Sequence, residues 1–233
     1  MSRTRLQLLI GAAAAAAIVV IAVIVAAGTG GGSGSSSSTT TTTGTASSVS
    51  ALKGVPQHGD ILGKPSAPAT LMVFEDPQCP YCREWNVNTL PTVVQNYIRT
   101  GKLKLQYRGI VVISENSVAG LRAIYGAAPQ GKLWSMVEAL YERQGQENTG
   151  WITIPVIKDS AKEIGADSAA VLKQADAASV TAQLNANAAL AKQLGINGTP
   201  TFVLQKQLGT PQQLNIGGLE PDQFTPALDA ALQ

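Results

Sequence analysis

The sequence predicts an α/β domain in which a strand–helix–strand unit and a strand–strand–helix unit are separated by a block of helices. Residues 69–75 form a nearly continuous apolar run, which suits a strand buried on both faces of a sheet. Residues 117–194 show helical spacing of apolar side chains without strand signals. Near the C-terminus, two strand-like segments precede a helix that begins at Pro221, a favourable first helical position.

The remaining elements can be placed between these landmarks. A helix is predicted over 80–100, with a kink near residues 88–90 because Pro91 removes a backbone donor. The other predicted elements are a strand over 103–112, two strands over 201–205 and 213–216, and a final helix over 221–232.

Charge is distributed very unevenly along the chain. Only 14% of the residues are charged, and within residues 1–50 the charged side chains are those of Arg3 and Arg5. The remaining basic residues equal the 15 acidic ones in number, so the part after residue 50 has no net charge. A neutral domain without a Lys/Arg cluster has no basic surface that could bind the phosphates of a nucleic acid. We therefore do not expect a nucleic-acid partner.

Residues 8–27 are an unbroken run of apolar, Gly and Ala residues. As a helix this run is about 30 Å long, which matches the hydrocarbon core of a bilayer. Since Arg3 and Arg5 precede it, the positive-inside tendency predicts a single-pass transmembrane signal-anchor over 1–27 in the cell membrane. The N-terminus would then be cytoplasmic and the rest extracytoplasmic. The alternative is a cleaved signal peptide ending near residues 25–27, which would give a secreted form.

The segment that follows is almost entirely Gly, Ser and Thr up to residue 50. Such a composition cannot bury enough surface to offset its ordering entropy. We therefore predict a disordered linker over 28–54 and a folded domain over 55–233, with the helical block inserted at about 114–195.

The two cysteines of the chain form the motif Cys79-Pro80-Tyr81-Cys82 where a strand ends and a helix begins. Pro80 at the first helical position makes Cys79 the N-cap, where the helix end lowers the pKa of a thiol from about 8.5 towards about 7. Cys82, one turn inside the helix, is expected to be covered. An exposed acidified thiol beside a buried one is the arrangement that disulfide exchange requires.

Other uses of the two cysteines are less well supported by the sequence. A structural disulfide closing so short a loop gains little stability. A metal site needs two more ligands, and the only histidine, His58, lies in a Gly/Pro-rich segment. We therefore expect no metal and no cofactor besides the redox disulfide. Glu75 and Asp76 precede the motif and are candidates for buffering proton transfer at Cys82, although turn formation explains Asp76 equally well.

A second feature is Thr199-Pro200 at the head of a predicted strand. A proline there can simply mark a strand edge. Its position after the helical block instead suggests a cis peptide packed on the sulfurs, with the Thr199 backbone available to a bound substrate strand.

Three segments resemble the DsbA-like thiol–disulfide oxidoreductases of bacteria: FEDPQCPYCR at 74–83, GTPTF at 198–202 and LGKPSAP at 62–68. The similarity covers roughly residues 55–232, including the helical block. It implies a thioredoxin fold with a helical insertion between the βαβ and ββα halves. It also implies roles for the residues that match the family motifs: Cys79 as exposed nucleophile, Cys82 as resolving thiol, Pro200 as cis-proline, and Thr199, Pro80 and Tyr81 as substrate-binding or supporting residues.

The resemblance further implies a monomeric enzyme that introduces disulfides into exported polypeptides. Its reoxidant would be a membrane quinone-linked protein of the DsbB or vitamin K epoxide reductase type. Tyr81 stands where the strongest oxidants of this family have His, so we expect a milder oxidant. The alternatives are a reductase or isomerase of the same fold, or a non-catalytic peptide-binding module. Isomerases carry a separate N-terminal dimerisation domain, whereas this chain has a predicted membrane tether there, which favours the oxidase.

Overall fold

The computed structural model describes residues 48–207 and 209–233. The predicted transmembrane segment, 1–27, and most of the predicted linker lie outside these described residues. Within the described part, no helix has the length and apolar character that a membrane crossing requires.

The described chain forms one mixed sheet surrounded by helices. The strands are β1 Gln57–His58, β2 Ile61–Leu62, β3 Ala69–Glu75, β4 Leu103–Gly109, β5 Thr201–Lys206 and β6 Gln212–Gln213. The helices are α1 Ser48–Ala51, α2 Pro80–Asn88, α3 Leu90–Val93, α4 Ser117–Gly126, α5 Leu133–Glu142, α6 Ile154–Glu163, α7 Ser168–Ala175, α8 Ala178–Gln193 and α9 Pro221–Leu232. A π-helical turn, Val94–Ile98, extends α3, and a 3₁₀ turn, Ala128–Gln130, follows α4.

The sheet order is β1-β2-β4-β3-β5-β6, with β3 and β4 parallel and the other neighbouring pairs antiparallel. The predicted βαβ and ββα halves, separated by the helices α4–α8, are thus confirmed. Because β5 runs antiparallel to β3, its first residue, Thr201, pairs with Phe74 near the end of β3. This register brings the loop before β5 to the point where the chain leaves β3 for α2.

Aromatic packing fastens α2 to the sheet. The Trp85 ring lies 4.9 Å from that of Phe202 in β5 and 5.6 Å from that of Phe224 in α9. The rings of Phe202 and Phe224 are 4.8 Å apart. The three side chains are almost completely buried, so one cluster joins the helix after the cysteine motif to both elements of the C-terminal half.

The insertion is anchored to the sheet through α5. The Trp134 ring of α5 packs edge-on against Tyr107 of β4 at 5.7 Å, and its indole N–H donates to Asp60 O. These contacts hold the apolar face of α5 against the sheet and α2.

The kink predicted near residues 88–90 is confirmed: the helix predicted over 80–100 is interrupted at Thr89, which separates α2 from α3, because Pro91 has no N–H to continue the ladder. One predicted strand bound is wrong. The strand predicted to reach residue 112 ends at Gly109, since the N–H groups of Val112 and Ile113 turn to the carboxylate of Asp76 at 2.7 and 2.9 Å.

Smaller differences lie at the edges of the domain. The edge strands β1 and β2 were not predicted, and the last strand covers Gln212–Gln213 rather than 213–216. The folded part also includes residues 48–54 of the predicted linker, because Leu52 is only 3% exposed and packs in the core.

Candidate active site

The cysteine motif lies at the junction of β3 and α2, as the sequence predicts. Cys79 is the N-cap of α2 with an extended backbone (φ −72°, ψ 119°), and Pro80 is the first helical residue. The Cys79 N–H donates to Asp76 O at 2.9 Å, which closes the turn between strand and helix.

The loop before β5 meets this junction. The Thr199–Pro200 peptide bond is cis, and the Cys79 thiol donates to Thr199 O with an Sγ–O distance of 3.2 Å. Both cysteines are free thiols in this structure. The expected exposure of Cys79 is wrong, because the contact with this loop leaves it only 3% exposed.

The two thiols differ strongly in acidity. The pKa of Cys79 is lowered to about 6, mainly by a hydrogen bond from the Cys82 thiol; burial opposes this effect, and the Thr199 side chain and the first-turn N–H groups contribute smaller effects in the lowering direction. Burial raises the pKa of Cys82 well above its ordinary value, and the hydrogen bond to Cys79 raises it more. Cys79 is therefore the thiolate at neutral pH and Cys82 the protonated partner. The N-terminal end of α2, on which the sequence prediction rested, contributes little to the lowered pKa of Cys79.

Asp76 stabilises the turn that precedes the cysteine motif. Its buried carboxylate accepts hydrogen bonds from Gln78 N and Ser117 Oγ on one oxygen, and from Val112 N and Ile113 N on the other. With its oxygens engaged in this way, the geometry supports turn formation for Asp76 rather than proton transfer.

Glu75 is placed differently, beneath Cys82. It is the last residue of β3 and is fully buried. The Asn86 side-chain amide donates to Glu75 Oε1 at 2.5 Å and to Cys82 O at 2.8 Å, so it links the carboxyl to the cysteine helix. Burial raises the pKa of Glu75 well above its ordinary value. A carboxyl group with a raised pKa is therefore linked through Asn86 to the helix that contains the buried thiol.

Comparison with known proteins agrees with this geometry. The family model described as thioredoxin matches residues 57–215. The chain belongs to the thioredoxin family. A thioredoxin-like oxidoreductase from Silicibacter pomeroyi is 32% identical over 73% of this chain and 90% of its own, with a TM-score of 0.56.

Two proteins from Bacillus are also similar to this chain. A probable disulfide bond formation protein D from Bacillus cereus is 26% identical over 64% of this chain and 71% of its own length. The crystal structure of BdbD from Bacillus subtilis shares the fold, with a TM-score of 0.64 at 21% identity over 76% of this chain and 97% of that one. The protein is a DsbA-like thiol–disulfide oxidoreductase.

The remaining predicted site residues lie around this thioredoxin-type centre. Tyr81 is 61% exposed and Pro80 is also exposed, so both face solvent beside the cysteines. Thr199 is partly buried. Among the described residues there is no cluster of three or more His, Cys, Asp or Glu that could hold a metal ion.

Sequence reasoning missed the polar residues through which the insertion holds the motif. The Gln144 side-chain amide donates to Pro77 O at 2.9 Å and to Cys79 O at 3.1 Å. Gln78 Oε1 accepts from Asn148 N at 2.9 Å. The family resemblance covers residues 144–148, but the spacing of these residues along the chain carries no signal for these contacts.

Proposed function

We propose that this protein is a dithiol oxidase that donates the Cys79–Cys82 disulfide to exported polypeptides outside the cytoplasm. The observation that carries the proposal is the asymmetric thiol pair, in which the thiol of buried Cys82 donates a hydrogen bond to the sulfur of Cys79 at the start of α2 and keeps its proton. Stabilising the Cys79 thiolate stabilises the reduced enzyme, so the disulfide form becomes a better oxidant. The Bacillus relatives are named disulfide bond formation protein D, and this name also supports catalysis in the direction of disulfide formation in the client.

The reaction proceeds in two exchanges. A client thiolate attacks Sγ of Cys79, the Cys79–Cys82 bond breaks, and its electron pair leaves on Cys82, which takes up a proton. A second client thiolate attacks the client sulfur bonded to Cys79, forms the client disulfide and releases the Cys79 thiolate. The client loses two electrons and two protons. The enzyme gains two electrons and one proton, and the second proton passes to solvent.

The surroundings of the cysteines suit these steps. Thr199 and Pro200 lie beside Cys79 and offer backbone groups to an extended client segment, with Pro80 and Tyr81 at the rim. Glu75 is the proton donor for the leaving Cys82 thiolate, since it is buried, has a pKa raised by that burial and is linked to α2 through Asn86.

The apolar run and the polar linker in the sequence support a membrane-tethered enzyme with its N-terminus in the cytoplasm. The enzyme would act as a monomer and be reoxidised by a quinone-linked membrane protein of the DsbB or vitamin K epoxide reductase type.

The proposal predicts stoichiometric disulfide transfer. The oxidised protein, mixed with a reduced and unfolded secreted protein, should form one client disulfide for each Cys79–Cys82 pair that becomes reduced. Mass spectrometry after alkylation counts both, and the Cys79→Ser variant is the matched control. If the oxidised protein leaves the client reduced while the reduced protein cleaves client disulfides readily, the enzyme is a reductase. If neither exchange occurs, the domain only binds peptides.

A further inference from the structure

The end of the sheet opposite the cysteine motif carries several basic side chains. Strand β3 starts at Ala69 and ends at Glu75, close to the motif, so its two ends lie about 20 Å apart. Lys206 of β5 pairs with Ala69 on one side, and Lys102 directly precedes Leu103 of β4, which pairs with Ala69 on the other. Two lysines therefore flank the start of β3, at the far end of the sheet from the cysteines.

Two further lysines lie beside this pair. The Lys104 ammonium donates to Pro65 O at 2.7 Å, in the segment that leads into β3. The Lys64 side chain lies against Gly101, since a Cβ atom built on that glycine would be 3.5 Å from Lys64 Cδ. Because Gly101 directly precedes Lys102, the four lysines belong to one surface.

The first described residues of the chain join the same surface. The Arg99 guanidinium donates to Ala51 O at 3.0 Å and to Lys53 O at 2.8 Å. The residues that precede Ser48, which include the apolar run over 8–27, are therefore connected to the domain at this end.

Folding collects basic residues that are spread between positions 53 and 206 on this surface, which we call the basic end. Its members are Lys53, Lys64, Arg99, Lys102, Lys104 and Lys206. All but Lys104 are exposed. The expectation of a domain without a Lys/Arg cluster is therefore wrong, because residues so far apart in the chain form no basic run that would reveal the cluster.

The negative charge that opposes the basic end is smaller. The Asp229 carboxylate accepts a hydrogen bond from the Tyr97 hydroxyl at 2.7 Å, and the terminal carboxylate of Gln233 follows α9. Because the chain after residue 50 has no net charge, an excess of positive charge at one end leaves an excess of negative charge on the rest of the domain. An anionic surface should therefore attract the basic end and repel the remainder.

A hollow in the basic end has a lining that suits a lipid headgroup. It has a volume of about 420 Å³ and is lined by Lys102 and Lys206 together with apolar Pro68, Ala69 and Leu232. In an anionic phospholipid the phosphate adjoins an apolar glycerol and acyl region, whereas a free polyanion has no such region. Two ammonium groups beside an apolar hollow therefore favour a lipid surface as the partner.

We propose that the basic end docks on an anionic lipid surface and turns the cysteine motif away from the membrane, towards emerging clients. The inference rests on the proposed function, because a membrane anchor over 1–27 would hold this end of the domain nearest to the lipid. The attraction is electrostatic and screened by salt, so the contact is reversible. The motif can therefore also turn to a reoxidant in the membrane.

The test is lysine footprinting of the full-length protein in vesicles of phosphatidylcholine, with and without phosphatidylglycerol. A membrane-impermeant acetylating reagent is applied briefly, and mass spectrometry measures each lysine. Since one basic residue near an anionic surface strengthens binding by about fivefold, acetylation of Lys102 and Lys206 should fall at least about fivefold in the anionic vesicles. The protection should disappear in about 1 M salt, where the Debye length is about 3 Å. Exposed Lys158 and Lys162 of α6 should react equally in both vesicles.

A pair of charge-reversed variants gives the matched control. Lys102→Glu combined with Lys206→Glu should abolish the protection of Lys64 in anionic vesicles. Lys158→Glu combined with Lys162→Glu changes the net charge equally and should leave it intact.

Equal acetylation of the basic end in both vesicles would overturn the inference, as would equal protection of Lys158 and Lys162. Protection by soluble polyphosphate beside neutral vesicles, as strong as that by anionic vesicles, would instead assign the surface to free polyanions such as nucleic acid. Alkaline extraction of the vesicles tests the membrane anchor separately. Because this footprint does not involve the cysteines, failure of disulfide transfer and failure of docking are distinguishable.

Discussion

Replacing Cys82 by Ser is expected to convert the enzyme into a trap for its clients. Cys82 is fully buried behind Cys79 and is the one thiol that can attack a mixed disulfide from within the protein. Intramolecular attack has effective molarities of about 10⁵ M or more, so its loss should slow release by more than about 100-fold for clients whose mixed disulfide has no second client thiolate within reach. Mixed disulfides, which form in this variant when the Cys79 thiolate attacks the disulfide of an oxidised client and releases a client thiolate, should accumulate and appear on non-reducing gels.

The matched control is Cys79→Ser, which should trap almost nothing because it leaves the buried, high-pKa thiol. The same assignment predicts the pH dependence of alkylation in the reduced wild type. Since the pKa of Cys79 is about 6, its reaction with iodoacetamide should rise through that pH and level off above it. If Cys82 reacts faster than Cys79 at neutral pH, or if Cys79→Ser traps clients as well as Cys82→Ser does, the roles are reversed.

Trp85→Ala is expected to cause the largest loss of stability. Trp85 is fully buried and contacts both Phe202 and Phe224, so its removal leaves a cavity between α2, β5 and α9. Such truncations lower the free energy of unfolding by about 3–5 kcal/mol. Urea denaturation of the reduced proteins measures the change.

Tyr81→Ala is the control in the same helix, because Tyr81 is 61% exposed. Its effect on the free energy of unfolding should stay within about 0.5 kcal/mol. A loss below about 1 kcal/mol for Trp85→Ala would mean that the aromatic cluster does not hold the cysteine helix to the C-terminal half.

Local signals account for the parts of the fold that the sequence predicts well. The strand over 69–75 and the helix from Pro221 match their predicted bounds because an uninterrupted apolar run and a proline at the first helical position act within a few residues. The position of the cysteine motif follows for the same reason, since Pro80 starts α2 directly after Cys79.

The missed features depend on residues far apart in the chain. The end of β4 is set by Asp76, which lies 36 residues before Val112. Gln144 reaches Cys79 O across 65 residues. The hydrogen bond between the two thiols is local in sequence, but its effect depends on the burial of Cys82 by the packed insertion and sheet. Sequence periodicity carries no information on which polar side chains meet in this way.

The reduction potential of the Cys79–Cys82 pair tests the central claim most directly. The protein is equilibrated with glutathione buffers of known ratio, and the two thiols are counted by alkylation and mass spectrometry. We predict one reversible two-electron transition between about −120 and −200 mV, the range of disulfide-donating enzymes, with Tyr81 keeping it below the most oxidising members. A potential near −270 mV or lower, or no reversible transition, would contradict the assignment of a dithiol oxidase.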